Sequence, residues 1–178
     1  MFRRLHHQRI LRLLEAFDAD RLRRADCFFA GDTAIVLQLG EYRESVDIDF
    51  LCASQTGYRQ LREVVTERSL GPLLARPVLS REDLYAEKLL ANDDRGHAPE
   101  TMSRDIIDLA MMIDGWGPLP AAALAKAEAV YGSTVRKRMH QAVERVSRPA
   151  VLRECMKQMS MDPALEPVIL RALATLPR

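Results

Sequence analysis

The stretch CFFAGDTAIVLQLGEYRESVDIDFLC, Cys27 to Cys52, constrains the fold more than any other part of the chain. DCFFA is short, apolar and aromatic, the composition of a buried strand. Gly31-Asp32 breaks it. TAIVLQLG then reads as a short helix closed by Gly40, which tolerates the left-handed backbone of a C-cap. EYRES is a polar connection, and VDIDFLC is a second strand. Side chains alternate between faces along a strand, so Val46, Ile48 and Phe50 point one way and Asp47, Asp49 and Leu51 the other. Two like charges on one strand face repel each other, so the pattern asks what offsets them.

The flanks are mostly helical. MFRRLHHQRILRLLEAF carries Leu5, Ile10, Leu13, Leu14 and Phe17 near helical spacing, with His6 and His7 as solvent-facing residues; it lacks the serines of a transit peptide. Tyr58 to Arg68 reads as a helix and GPLLARPVL as a third strand, which Pro77 keeps at an edge or breaks. Ser80 and Asp83 mark the start of a helix carrying LYAEKLLAND. DDRGHAPET is a loop, and SRDIIDLAMMID is a helix ended by GWGPLP. Residues 121–178 read as helical, with breaks at Gly132, Pro149 and Asp162-Pro163. The expected class is α+β, a small mixed sheet with helices followed by an all-helical C-terminal part. The expected division is a core over 1–118 and a helical extension over 119–178 packed on it.

With 178 residues, 48% of them apolar, the chain can bury a core, and a net charge of +1 selects neither nucleic acid nor membrane as partner. Cys27, Cys52 and Cys155 form no metal-ligand spacing; in their apolar surroundings they read as small hydrophobes of a reducing compartment, hence a cytoplasmic location. No segment is apolar enough to span a bilayer.

Residues two apart on a strand face lie roughly 6–7 Å apart. Two carboxylates so placed can share Mg²⁺ (or Mn²⁺), hard cations that prefer oxygen ligands and retain positions for waters and phosphates. Such ions align attacking and leaving oxygens in phosphoryl or nucleotidyl transfer. Gly31 allows close approach of the backbone to a ligand, and the N–H groups of the next helix turn suit a phosphate. The plainer alternative is a solvated strand face after an ordinary turn.

FFAGDTAIVLQLGEYRESVDIDF resembles the signature of the AbiEii/AbiGii-type nucleotidyltransferases of the DNA polymerase beta-like superfamily. The matched positions are Gly31, Leu39-Gly40, Arg43, Ser45 and Asp47-Ile48-Asp49-Phe50. LYAEKLLANDDR resembles the Lys- and Arg-bearing helix of that family, through Lys88 and Arg95. SRDIIDLAMM resembles its RDxxDL helix, through Arg104, Asp105 and Asp108. The resemblance covers roughly residues 25–113 and implies transfer of a nucleoside monophosphate from an NTP to an RNA acceptor, such as tRNA, or a protein acceptor. It also implies a toxin with an antitoxin partner. Asp47 and Asp49 would hold the metal, joined in catalysis by Lys88 and Asp105, while Gly31, Asp32, Thr33, Arg43, Ser45 and Arg95 would bind the nucleotide. For Lys88 and Asp105 a structural salt bridge is the competing role.

Two departures stand out. Asp32 occupies the place of the family's second Gly or Ser in the turn. The interval from Phe50 to Lys88 is short, and no strand in it offers a third metal carboxylate; Glu63, Glu67, Glu82 and Asp83 all fall on expected helices. The alternative function is therefore a catalytically impaired module of this type that binds nucleotide, RNA or a partner protein. STVRKRMHQAVERVSR sets Val135, Met139, Ala142, Val143 and Val146 on one arc and Lys137, Arg138, Arg145 and Arg148 on the other, a charged exterior that would also suit a nucleic-acid backbone.

Overall fold

The computed structural model describes residues 2–15, 17–59, 79–96, 98, 101 and 103–177. They form two compact units. One comprises Met1–Glu41 with Ser45–Leu79, the other Tyr42–Glu44 with Ser80–Arg178. The class is α+β: helices dominate, and the sheet among the described residues is a pair of antiparallel strands.

The first unit contains α1 (Leu5–Glu15), α2 (Ala19–Arg24), β1 (Cys27–Ala30), α3 (Gly31–Gln38) and β2 (Asp49–Cys52). Helix α2 goes beyond the sequence reading. Its signal is Asp18, whose carboxylate caps the N–H of Arg21 at 3.0 Å. The strands pair Cys27 with Cys52, Phe28 with Leu51, Phe29 with Phe50 and Ala30 with Asp49. Phe50 packs against Phe17 and Phe29, with ring centroids 4.9 and 5.9 Å apart, and Ile48 joins it against Ile10, Leu14 and Ala34. The alternation read from the sequence thus holds from Ile48 onward, with Asp49 and Leu51 exposed.

Three expectations need correction. β2 begins at Asp49, not at Val46, and Val46 is 57% exposed. The reason is β1, which ends at Ala30 where the chain turns into α3, so residues 46–48 have no strand opposite them among the described residues. On α1 the inward stripe is His7, Ile10 and Leu14, while Leu5 and Leu13 face solvent. His7, expected outside, is fully buried. The expected strand at 71–79 and the helix beyond residue 59 lie outside the described residues, as do Glu63 and Glu67. Leu79 itself is described, and its N–H donates to the Phe29 carbonyl at 3.2 Å.

Cys27 and Cys52 are free thiols with sulfurs 2.9 Å apart. The bond from Ala53 N–H to the Asp26 carbonyl, 2.7 Å, makes 26/53 a hydrogen-bonded pair. Alternation then makes Cys27/Cys52 a non-hydrogen-bonded pair, the kind whose side chains approach most closely. Burial, with the neighbouring Cys52, pushes the Cys27 thiol up to about 12, so it stays protonated at neutral pH and packs as a small apolar group.

The second unit contains α4 (Arg81–Arg95), α5 (Arg104–Trp116), α6 (Ala121–Tyr131), α7 (Thr134–Val146), α8 (Pro149–Gln158), a 3₁₀ turn (Pro163–Leu165) and α9 (Glu166–Leu173). Ser80 caps α4 as expected, accepting from Asp83 N–H at 3.1 Å. The helix runs on to Arg95, three residues into the expected loop, because Asp93, Asp94 and Arg95 carry no breaker and Gly96 follows. The breaks at Gly132, Pro149 and Asp162-Pro163 fall where the sequence places them; Pro149 opens α8 and Asp162 caps Ala164 N–H at 2.9 Å. α4 packs against α5, α6 and α7, and α9 packs on α5. Met111, Met112, Met139, Met156, Met159 and Met161 are all buried, so these methionines fill the core. On α7 the apolar arc is buried at Val135, Met139, Ala142 and Val146. Its basic arc is not wholly exterior, since Arg145 donates to the Gly96 carbonyl. Among the described residues no helix is long and apolar enough to cross a membrane.

Candidate active site

In the first unit, the β1–β2 register decides where the paired aspartates lie. Ala30 stands opposite Asp49, so the residue after Ala30 comes up against the Asp49 side chain. That residue is Gly31, with φ +73°. A Cβ there would stand 2.5 Å from Asp49 Oδ2 and 3.0 Å from its Cβ. Glycine is therefore required twice, by the left-handed backbone and by the carboxylate against it. Gly31→Ala should push the Asp49 carboxylate aside and destabilise the fold by more than ~1 kcal/mol. Gly40→Ala is the control: φ is +77° there but nothing lies within 4 Å of a new Cβ, so only the backbone cost of about 1–2 kcal/mol applies. Equal effects of the two on divalent-cation uptake would disprove the link between Gly31 and Asp49.

Asp47 and Asp49 are both exposed. The backbone leading to them is held by side chains. Thr33 Oγ donates to the Asp47 carbonyl, and since a hydroxyl has one proton, Ser45 Oγ donates to Thr33 at 2.7 Å. His7 Nε2 lies 3.1 Å from both the N and the O of Ser45, and His6 Nε2 lies 3.2 Å from the Val46 carbonyl. His7 Nδ1 meets Glu41 Oε1 at 2.8 Å. Glu41 also accepts the N–H groups of Arg3 and Arg4 at the start of α1, where the helix dipole favours an anion.

Burial raises the Glu41 carboxyl pKa, but the Arg3 and Arg4 amides and His7 outweigh it, so the group is held below its ordinary value. A lowered folded pKa gives stability that is complete above the ordinary carboxylate range and lost as pH falls through the folded value. Amide exchange in α1 should therefore accelerate, relative to its intrinsic rate, on acidification to about pH 3. In a Glu41→Gln variant that extra acceleration should vanish, and its persistence would rule the carboxylate out as the cause.

The second unit holds a buried charge network. Asp108, fully buried, accepts from Arg43 Nε and Nη2 at 2.7 Å each and from Tyr42 Oη at 2.7 Å. Lys88 Nζ stands 3.1 Å from Asp108 and 3.1 Å from Asp105. Arg95 reaches Asp105 through two bonds of 2.9 Å. The oxygens of Asp105 and Asp108 come within 4.8 Å of each other, a proximity that three cations offset. The spacing i, i+3 on α5 aims both carboxylates the same way, and Lys88 and Arg95 reach them from α4. The salt bridge between Lys88 and Asp105 is thus present, and it ties two helices together.

Of the residues named from the sequence, the structure juxtaposes Gly31 with Asp49, and Thr33 with Ser45 and the Asp47 backbone. It gathers Arg43, Lys88, Arg95 and Asp105 around Asp108. Asp32 lies half-buried in the first turn of α3. Glu82 and Asp83 lie on α4, where Lys126 pairs with them at 2.5 and 2.9 Å. The sequence reading missed Tyr42, His7 and Glu41. Tyr42 and Glu41 flank a motif position without belonging to it. His7 had one signal, its place three residues before Ile10 and seven before Leu14 on the buried stripe.

A family model described as nucleotidyl transferase AbiEii toxin, type IV toxin–antitoxin system, matches residues 12–71 and 56–175. No curated protein and no solved structure gives a match.

Proposed function

Since this chain belongs to the AbiEii family of nucleotidyltransferase toxins of type IV toxin–antitoxin systems, we propose that it moves a nucleoside monophosphate from an NTP to an RNA or protein acceptor. Asp47 and Asp49 are the proposed ligands of the divalent cation that this chemistry uses, Mg²⁺ or Mn²⁺. The donor set fits: two exposed carboxylates offer hard oxygen ligands, and the absence of a side chain at Gly31 lets the Asp49 carboxylate sit directly against the turn. The bound cation would offset charge on the transferring phosphoryl group.

The observation that carries the reading is the register of Ala30 against Asp49, which joins the Gly turn and the acidic pair in one local structure. The chain's residues have distinct proposed tasks. Gly31 and Asp32 form the turn that faces the nucleotide phosphates. Thr33 and Ser45 act through the Asp47 backbone that they hold. In the second unit, Lys88, Arg95 and Arg43 neutralise the two buried carboxylates, Asp105 and Asp108, and Lys88 and Arg95 tie α4 to α5.

Calorimetric titration with Mn²⁺, alone and with each NTP, tests the reading together with transfer of α-labelled NTP to total RNA and to protein. Cation-dependent label on an acceptor is expected. Cation and NTP binding without any labelled acceptor would favour a non-catalytic nucleotide-binding module, and no binding at all would defeat both.

A further inference from the structure

Residues 45–47 need an explanation that the strand pairing does not supply. β1 ends opposite Asp49, so among the described residues the segment before Asp49 has no ladder to satisfy its backbone or to fix its course. Buried main-chain groups must nevertheless be paired. His7 does this for Ser45, from a helix 38 residues earlier in the chain. One ring nitrogen, Nδ1, pairs with a Glu41 oxygen, and the other, Nε2, lies within hydrogen-bond distance of both the N–H and the carbonyl of Ser45. Glu41 in turn is fixed by the amides of Arg3 and Arg4. The chain of contacts ends two residues from Asp47.

We propose that His7 and Glu41 are positioning residues for Asp47: they clamp the 45–47 backbone so that the Asp47 carboxylate is held in register with Asp49. This rests on the reading of Asp47 and Asp49 as cation ligands. A buried histidine on the core face of α1 is a costly choice if packing were its only task, since a leucine would fill that place without a polar partner. What the imidazole adds is a two-ended hydrogen-bond bridge at a point where the sheet has run out. Such support matters because ligands must sit within about 0.5 Å of their productive places. His6, on the neighbouring position, adds a bond to the Val46 carbonyl.

The test uses the full chain with two readouts. The first is Mn²⁺ affinity by calorimetry for wild type, His7→Ala, Glu41→Gln and Met139→Ala. Met139 is a buried core residue of the second unit, so its truncation is a control for loss of stability alone. His7→Ala should weaken Mn²⁺ binding at least tenfold, Glu41→Gln by a smaller factor, and Met139→Ala should leave it unchanged. The second readout is amide exchange without metal. His7→Ala should speed exchange at residues 45–49 at least tenfold while leaving α5 as protected as before. If His7→Ala does not fold, Glu41→Gln carries both measurements. Unchanged exchange at 45–49 overturns the clamp whatever the metal does. Faster exchange with unchanged Mn²⁺ affinity overturns its role in positioning. Wild type that takes up no Mn²⁺ overturns the cation reading, and the clamp's assigned purpose with it, while the exchange data still report whether the clamp exists.

Discussion

Asp47→Asn and Asp49→Asn are each expected to lower nucleotidyl transfer by at least ~10²–10³-fold, the loss typical when one preorganised electrostatic group is removed. The fold should survive both. The two side chains are exposed, and Asn keeps their shape. Relief of like-charge repulsion leaves stability unchanged or slightly higher, as is common when a functional site is neutralised. The informative measurement is a pair: label transfer from α-labelled NTP, and urea unfolding of the same preparation. Lost transfer with an unchanged unfolding midpoint supports ligands of a cation. A fall in the midpoint that matches the lost transfer would instead make the aspartates structural, and retained transfer in either variant would remove it from the site.

Asp108→Ala is expected to have the largest effect on stability, about 3–5 kcal/mol, because it strips a buried charge network of its central anion. Asp108 accepts from Arg43 and Tyr42 and pairs with Lys88, and Arg43 and Lys88 are themselves only 4% and 2% exposed. The loss is not the value of one ion pair. It is the cost of leaving cations desolvated without a counter-charge. The surface pair of Arg153 with Glu166 has a comparable separation, 2.8 Å, but the arginine side chain is 68% exposed. Arg153→Ala should therefore barely move the unfolding midpoint, since solvent screens an exposed pair. Urea unfolding of both variants measures the contrast, and equal midpoints would refute the account of the network.

What could be read from the sequence was what local chemistry dictates. Helix starts and stops are written in single residues: Ser80 caps, Gly132 and Pro149 break, and Asp162 caps before Pro163. The alternation of Ile48, Asp49, Phe50 and Leu51 needed only the period of a strand. The Lys88–Asp105 bridge was one of two readings left open, because two helical charges in the right order fit a salt bridge as well as a catalytic pair.

What the sequence did not disclose depended on partners distant in the chain. It gave Val46 to β2, yet a strand is only as long as the strand beside it, and β1 ends at Ala30. It left His7 outside, because polarity predicts exposure unless a buried partner is known, and Glu41 lies 34 residues away. It named Thr33 and Ser45 for the nucleotide without showing that their hydroxyls meet, with Thr33 also donating to the Asp47 carbonyl. The sequence by itself determined most of the helices, several of their caps and breaks, and the alternation of Ile48, Asp49, Phe50 and Leu51. Only the tertiary structure decided which groups fix the backbone at Asp47. Hydrogen bonds and ion pairs across tens of residues depend on how elements pack, and no local pattern encodes that.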